Sequence, residues 1–332
     1  MDGSSWEGQC KRSWEEGFSA ELAPLEVAGG TARPDSNGVK SSECGVRTNK
    51  IIGLVLILAL LVGTSFASQN QQIAQKLVAL EKIPGKFSFI VMGDNRSGDD
   101  IYTKIISLAM DRKPDFIVNV GDLITNPGNK SQWKNFWTLS KPITVPYFLI
   151  VGNHDVHRKA LFSERTYKEQ VDLPGNELYY SFVAGNSLFV VLDSVLADHE
   201  RRITGEQLTW LEGILLNSDK KHKFVFLHHP LYTEPGKWYH SNDCLDIYPQ
   251  DRDRLEALFV KAKVDAVFAG HEHVYNRKKV DGILHITAGG SGAPIFAKDE
   301  DGGFYHFVQV TVDGDKVRAE VVDVQGKVRD RF

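Results

Sequence analysis

Phe87-Ser-Phe-Ile-Val-Met-Gly-Asp-Asn-Arg96 sets a short apolar run against a glycine and then three polar side chains. Aromatic and β-branched residues suit a buried pleated surface, and six residues are too few for an independent helix, so the run predicts a strand. The glycine permits a tight turn that aims the next side chain off the strand end. The same grammar recurs along the chain. Phe116-Ile-Val-Asn-Val120 runs into Gly121-Asp122, and Tyr147-Phe-Leu-Ile-Val151 runs into Gly152-Asn153-His154-Asp155. Lys223-Phe-Val-Phe-Leu227 leads to His228-His229-Pro230, and Ala266-Val-Phe-Ala269 leads to Gly270-His271-Glu272-His273. Ser187–Leu192 and Ile283–Thr287 are further strands of the same type.

Helical signals fill the gaps between these runs. Thr204-Gly-Glu-Gln207 has the spacing of a capping box opening Leu208–Leu216, and Asp251–Lys263 places Leu255, Leu258 and Phe259 on one face. Phe304–Val312 and Lys316–Asp323 around Asp313-Gly314 predict a terminal hairpin. Strand–helix alternation with an antiparallel finish indicates stacked α/β layers, with the domain spanning residues 86–325. Trp133, Phe136 and Trp137 are expected to pack in its core.

Composition agrees with a globular enzyme-sized domain. The chain has 332 residues, a formal net charge of -4, 42% hydrophobic and 25% charged residues. This excludes a disordered chain and a multi-span membrane protein, and it supplies no basic field for nucleic-acid binding. Three cysteines, Cys10, Cys44 and Cys244, are too few for a disulfide framework or a thiolate metal cluster. All 11 histidines lie at or after His154.

The N-terminal part reads separately. Residues 1–50 are rich in Gly, Ser and Glu and lack an apolar period, which predicts disorder. Residues 51–67 are uncharged, follow Arg47 and Lys50, and end in Ser65-Phe66-Ala67. That order of basic, apolar and small residues is expected of a signal peptide cleaved after Ala67, with an uncleaved signal-anchor as the alternative. The rest of the chain would then be secreted, periplasmic or held outside the cytoplasm by a transmembrane anchor. A signal peptide begins close to its basic residues, so translation is expected to start at Val46, with residues 1–45 a start-site artefact. Residues 68–85 are expected to be a linker.

The polar tips of the five strand-end motifs are expected to converge, because α/β sheets bind ligands beyond the carboxyl ends of their strands. Their carboxylate, amide and imidazole groups suit hard or borderline divalent ions such as Mn, Fe, Zn or Mg, and there are enough of them for two. Singly, Gly-Asp after a strand is usually a turn and a lone histidine usually a surface residue. Five such motifs in order, all at strand ends, go beyond that.

In order, Asp94, Gly121-Asp122, Gly152-Asn-His-Asp155, His228-x-Pro230 and Gly270-His-x-His273 resemble the calcineurin-like metallophosphoesterase superfamily. Gly270-His-Glu-His-Val-Tyr-Asn-Arg277 and Gly289-Gly-Ser-Gly292 resemble its purple acid phosphatase-like branch. The resemblance implies a four-layer α/β/β/α sandwich of two mixed sheets flanked by helices. It implies that Asp94 and His273 hold one metal, that Asn153, His228 and His271 hold a second, and that Asp122 bridges both. His228 rather than His229 is expected as the ligand. His154, placed by Asp155, would protonate the leaving oxygen of a small phosphorylated substrate, by analogy with general-acid help worth about 10²–10⁴-fold. The implied reaction is hydrolysis of a phosphate monoester, with a phosphodiesterase or nucleotide pyrophosphatase, or a degenerate phospho-ligand binder, as alternatives.

Two positions depart from the family pattern. Arg96 stands where a histidine is common, and Thr125 stands where the purple phosphatases carry a metal-binding tyrosine. The first metal is therefore expected to bind weakly. Arg96 is expected either to grip the substrate phosphate or to form a salt bridge to a nearby carboxylate. Trp238, Tyr239, His240 and Asn242 are expected to wall the leaving group, His157 to line the pocket, and Asp193 to be a structural carboxylate.

Overall fold

A computed structural model describes residues 73–157, 163–233 and 243–332 of the protein. The expected disordered segment, signal segment and translation start lie outside the described residues. No helix among the described residues is long and apolar enough to cross a membrane.

Two six-stranded mixed sheets carry the fold. The first contains β1 (Lys86–Met92), β2 (Phe116–Asn119), β3 (Tyr147–Leu149), β10 (His306–Asp313), β11 (Lys316–Asp323) and β12 (Val328–Arg331), in the order β12-β11-β10-β1-β2-β3. The second contains β4 (Tyr180–Ala184), β5 (Ser187–Val191), β6 (His222–Phe226), β7 (Ala266–Ala269), β8 (Tyr275–Val280) and β9 (Ile283–Ala288), in the order β4-β5-β6-β7-β9-β8. β1, β2 and β3 run parallel, as do β5, β6, β7 and β9, so the ends bearing the polar motifs point one way within each sheet.

Phenylalanine fills the space between the sheets. Phe89 and Phe116 of the first sheet stack at 5.2 Å and meet Phe189 of the second edge-on at 5.2 and 5.1 Å. Phe148 stacks on Phe182 at 3.9 Å, and Phe226 on Phe268 at 5.3 Å. In β5, β6 and β7, Phe189, Phe224, Phe226 and Phe268 face this aromatic layer, while Leu188, Val190, Val225 and Val267 face the helices behind. Strands buried on both faces read as continuous apolar runs, which is why these were legible from sequence.

Helices cover the outer faces. α1 (Ile73–Glu81), α2 (Asp99–Asp111), α3 (Lys130–Leu139) and the short α4 (Ser163–Lys168) precede the second sheet in sequence; α5 (Gly205–Leu216) and α6 (Pro249–Ala262) punctuate it. Trp133, Phe136 and Trp137 of α3 are buried with Tyr102, Ile105 and Ile106 of α2, as expected of core aromatics. Leu208, Leu211 and Leu215 of α5 pack in one cluster with Leu255, Leu258 and Phe259 of α6.

Four details differ from the sequence reading. The stretch expected to be a linker holds α1, whose Ile73 and Leu80 are buried in the core. The domain also runs past residue 325, because β12 pairs with β11. The capping box does not form: Gln207 turns inward, accepting from the Asp193 amide at 2.7 Å and donating to its carbonyl at 2.9 Å, while the Thr204 hydroxyl bonds His199. Satisfying two buried backbone groups outweighs capping an exposed helix end. The terminal hairpin pairs Asp313 with Lys316, so Gly314-Asp315 is its two-residue turn.

Candidate metal centre

Four of the five strand-end motifs deliver side chains to one cavity of about 410 Å³, lined among others by Arg96, Asp122, Asn153, His154, His271 and His273, and the fifth places His228 Nε2 3.0 Å from Asn153 Oδ1. The backbone does the aiming. Asp94, Asp122 and His271 all adopt left-handed conformations, with φ of 55°, 57° and 66°. Such values are uncommon outside glycine and are held only when the surroundings enforce them. Here the Asp94 amide donates to Gly121 O at 2.9 Å, and the His271 amide donates to both Asp94 carboxylate oxygens at 3.1 and 2.9 Å. Two glycines admit the carboxylates: a Cβ on Gly270 would lie 2.5 Å from Asp94 Oδ2, and one on Gly152 would lie 2.4 Å from Asp122 Oδ1.

One set of donors forms a chain of near-equal spacings. Asp122 Oδ1 lies 3.3 Å from His228 Nε2, which lies 3.0 Å from Asn153 Oδ1, which lies 2.9 Å from His271 Nδ1. Donors sitting about 2.0–2.2 Å from a shared ion are separated by about 3 Å, so these four atoms have the spacing of a coordination shell. His229 lies beside them: the ligand atoms of His228, His229 and His271 all fall within 4.8 Å of one another, while His229 Nδ1 faces the Ser194 hydroxyl at 3.0 Å and its ring packs 4.4 Å from His271. Asp94, Asp122 and His273 form a second group whose ligand atoms all lie within 4.8 Å, with His273 Nε2 3.7 Å from Asp94 Oδ1.

The electrostatics suit cations. Asp94 and Asp122 are fully buried side by side. Burial, and then the charge of Asp122, push the Asp94 carboxyl well above the usual carboxylate range. Burial also pushes Asp122 up, but His228, His154 and Arg96 together pull it well below that range. Burial lowers His228, keeping its ring in the neutral form that has a lone pair to give. Oxygen and imidazole donors, two of them paired buried carboxylates, therefore fit two divalent ions.

His154 stands at the rim, one-third exposed, its Nδ1 3.2 Å from the Thr125 carbonyl and its Nε2 4.0 Å from Asp122 Oδ2. Asp155 does not place this ring. Its buried carboxylate accepts instead from the amides of Asp122 (3.0 Å), Leu123 (2.9 Å), Ile124 (3.2 Å) and Gly152 (2.8 Å). The chain turns between Gly152 and Asp155, and that turn sends adjacent side chains in different directions. The expectation for Asp155 is corrected accordingly: it holds the loop that carries Asp122.

Arg96 forms the salt bridge that was one of its two expected roles, Nε lying 3.1 Å from Asp122 Oδ2, and it also lines the cavity. The Thr125 hydroxyl, standing where the purple phosphatases carry a tyrosine, is hydrogen-bonded to the Ser97 hydroxyl at 2.8 Å. His157 lines the cavity as expected, and Asp193 accepts from the Val195 amide at 2.7 Å as a structural carboxylate. Trp238, Tyr239, His240 and Asn242 lie outside the described residues. Two participants had no sequence signal: the Thr125 carbonyl, which any residue would supply, and Asp243, a cavity-lining carboxylate outside every motif.

The chain is similar to purple acid phosphatase 23 of Arabidopsis thaliana, with 31% identity over 191 residues, covering 54% of this chain and 39% of that protein. It is also similar to probable inactive purple acid phosphatase 1 of the same plant, with 26% identity over 221 residues and coverage of 55% and 35%. The chain thus spans about two fifths or less of the length of these relatives. Among solved structures it matches the fold of the purple acid phosphatase PPD1 from yellow lupin (Lupinus luteus) seeds, with a TM-score of 0.63, 23% identity and coverage of 75% of this chain and 54% of that one. The family model for calcineurin-like phosphoesterases matches residues 87–275, more than half of the chain, and the chain belongs to that family.

Proposed function

We propose that the protein hydrolyses small phosphate monoesters, with Asp94, Asp122 and His273 holding one divalent ion and Asp122, Asn153, His228 and His271 holding a second. The observation that carries this reading is the run of 3.3, 3.0 and 2.9 Å spacings through Asp122, His228, Asn153 and His271. Two such ions supply positive charge for the phosphoryl oxygens and lower the pKa of a water that serves as nucleophile.

The chain's own residues do the rest. Asp122 belongs to both sets: its Oδ1 lies 3.3 Å from His228 Nε2, and it offers a carboxylate oxygen within 4.8 Å of the Asp94 and His273 ligand atoms. Arg96 spends one of its five N–H donors on Asp122 and presents a guanidinium whose remaining donors match phosphate oxygens. The Thr125 carbonyl holds His154 Nδ1, leaving Nε2 to pass a proton to the departing alkoxide. Export or membrane anchoring of this domain is part of the same proposal and rests on the basic, apolar and small order of residues 47–67.

A second reading is a phospho-ligand binder without turnover. It is favoured by the first group offering three residues, Asp94, Asp122 and His273, with a threonine at position 125 in place of a tyrosine, and by the likeness to a relative named as probably inactive. Metal content and hydrolysis of p-nitrophenyl phosphate and bis-p-nitrophenyl phosphate by the purified protein separate the readings. About two ions per chain, monoester turnover, and its loss in Asn153→Ala are expected. Turnover of the diester alone would move the assignment to a phosphodiesterase. One ion or none, with both esters inert under every divalent ion, would leave the binder.

A further inference from the structure

The three site histidines differ in what holds their outward nitrogens. His228 Nδ1 lies 2.8 Å from the Val120 carbonyl and His273 Nδ1 lies 2.8 Å from the Pro294 carbonyl. A ring nitrogen facing a carbonyl at that distance carries the hydrogen, which leaves the lone pair of Nε2 directed into the site. His271 is turned the other way. Its Nδ1 belongs to the donor set, 2.9 Å from Asn153 Oδ1, so its outward nitrogen is Nε2. That nitrogen faces a carboxylate oxygen, Asp243 Oδ2, at 3.9 Å.

Asp243 is itself held. Its other oxygen, Oδ1, is paired with the Arg201 guanidinium. Arg201 is fixed in turn: its φ is 61°, and its amide donates to the Ser194 carbonyl at 2.7 Å. The Ser194 hydroxyl meets the His229 ring, which packs against His271. The loop 194–201 after β5 therefore reaches His271 from two sides, Arg201 through Asp243 and Ser194 through His229.

We propose that Asp243, clamped by Arg201, is the positioning residue of the second metal site. It accepts Nε2–H of His271, fixes the tautomer in which Nδ1 has the lone pair, and raises the basicity of that ligand. The separation of 3.9 Å closes to a hydrogen bond with a ring displacement of about 1 Å. The Arg201 charge keeps Asp243 from entering the coordination shell itself. This inference rests on the metallophosphoesterase reading and adds a residue to it.

The test is a titration of the metal-stripped full-length protein with Mn²⁺ or Zn²⁺ against a chromophoric chelator, resolving both ions. In Asp243→Ala, one of the two ions is expected to bind about 10–100-fold more weakly, as is typical when the outer partner of a ligand histidine is lost. The other ion and the melting temperature of the stripped protein are expected to be unchanged. Asp243→Glu is expected to restore part of the lost affinity, and Arg201→Gln to lose less than Asp243→Ala. Unchanged affinities in Asp243→Ala would overturn the proposal, as would equal weakening of both ions accompanied by a lower melting temperature of the stripped protein. A wild-type protein that takes up no ion would instead overturn the metallophosphoesterase reading, before any variant is compared.

Discussion

Asp155 holds Asp122 by the backbone: its carboxylate accepts the Asp122 amide at 3.0 Å together with those of Leu123, Ile124 and Gly152, while Asp122 sits at a φ of 57°. The strained turn that aims one site carboxylate into the cavity is thus stabilised by a second carboxylate outside it. Removing that acceptor would leave up to four buried amides unpaired, at about 1–3 kcal/mol for each group that finds no substitute. Asp155→Ala is therefore expected to lose several kcal/mol in urea unfolding, with activity falling alongside. Asp155→Asn is expected to lose less, because it retains one acceptor oxygen. Wild-type stability in Asp155→Ala would return Asp155 to the role of orienting His154.

His154 is expected to behave in the opposite way. It is one-third exposed, and its ring is held by a single carbonyl, so His154→Ala is expected to shift the melting temperature little. Its kcat is expected to drop about 10²–10⁴-fold on alkyl phosphates, whose leaving oxygen needs a proton, and less on p-nitrophenyl phosphate, whose leaving group departs as a stable anion. Equal losses on both substrates would remove the general-acid role.

These two residues are neighbours in sequence, and their divergence shows how much could be read there. β1, β2, β3, β6 and β7 were legible because they are buried on both faces over most of their length, giving near-continuous apolar runs that lead into the site residues. β4, β8 and β12 were not. They lie at sheet edges, and Tyr275-Asn-Arg-Lys-Lys-Val280 and Val328-Arg-Asp-Arg331 carry charges that blunt an exposed edge but hide the strand from any apolar pattern. The ligand types in the site were legible because metal chemistry demands them. The orientation of Asp155 depends on a turn, and the approach of Asp243 to His271 depends on tertiary packing across residues that share no motif.

Arg96 is expected to show in KM and in product inhibition. A guanidinium that meets phosphate oxygens contributes charge-assisted hydrogen bonds worth about 1.5–3 kcal/mol. Arg96→Ala should therefore raise KM for a phosphate monoester and the inhibition constant for inorganic phosphate by roughly 10–100-fold. Arg96→Lys, which keeps charge but lacks the planar fork, should recover part of this. An unchanged KM and kcat in Arg96→Ala would leave only the salt bridge to Asp122.

Asp193 sets a pH dependence away from the metal ligands. Burial, with a smaller push from Glu164, raises its carboxyl to about 7, while the Val195 amide pulls the other way. Its Oδ2 is buried with no hydrogen-bond partner among the described residues, as suits a protonated oxygen. In the unfolded chain the same group titrates near the ordinary carboxylate value of about 3.9, so the unfolded state releases its proton first as pH rises. The contribution to stability is then fully present below about pH 4 and is lost through about pH 7, with a slope on the order of 1 kcal/mol per pH unit. Asp193→Asn retains the acceptor for Val195 and cannot ionise. Urea unfolding of metal-stripped protein is therefore expected to show wild type losing stability relative to Asp193→Asn between pH 5 and 8. Parallel stability curves for the two proteins would mean that Asp193 is already ionised in the fold at pH 5.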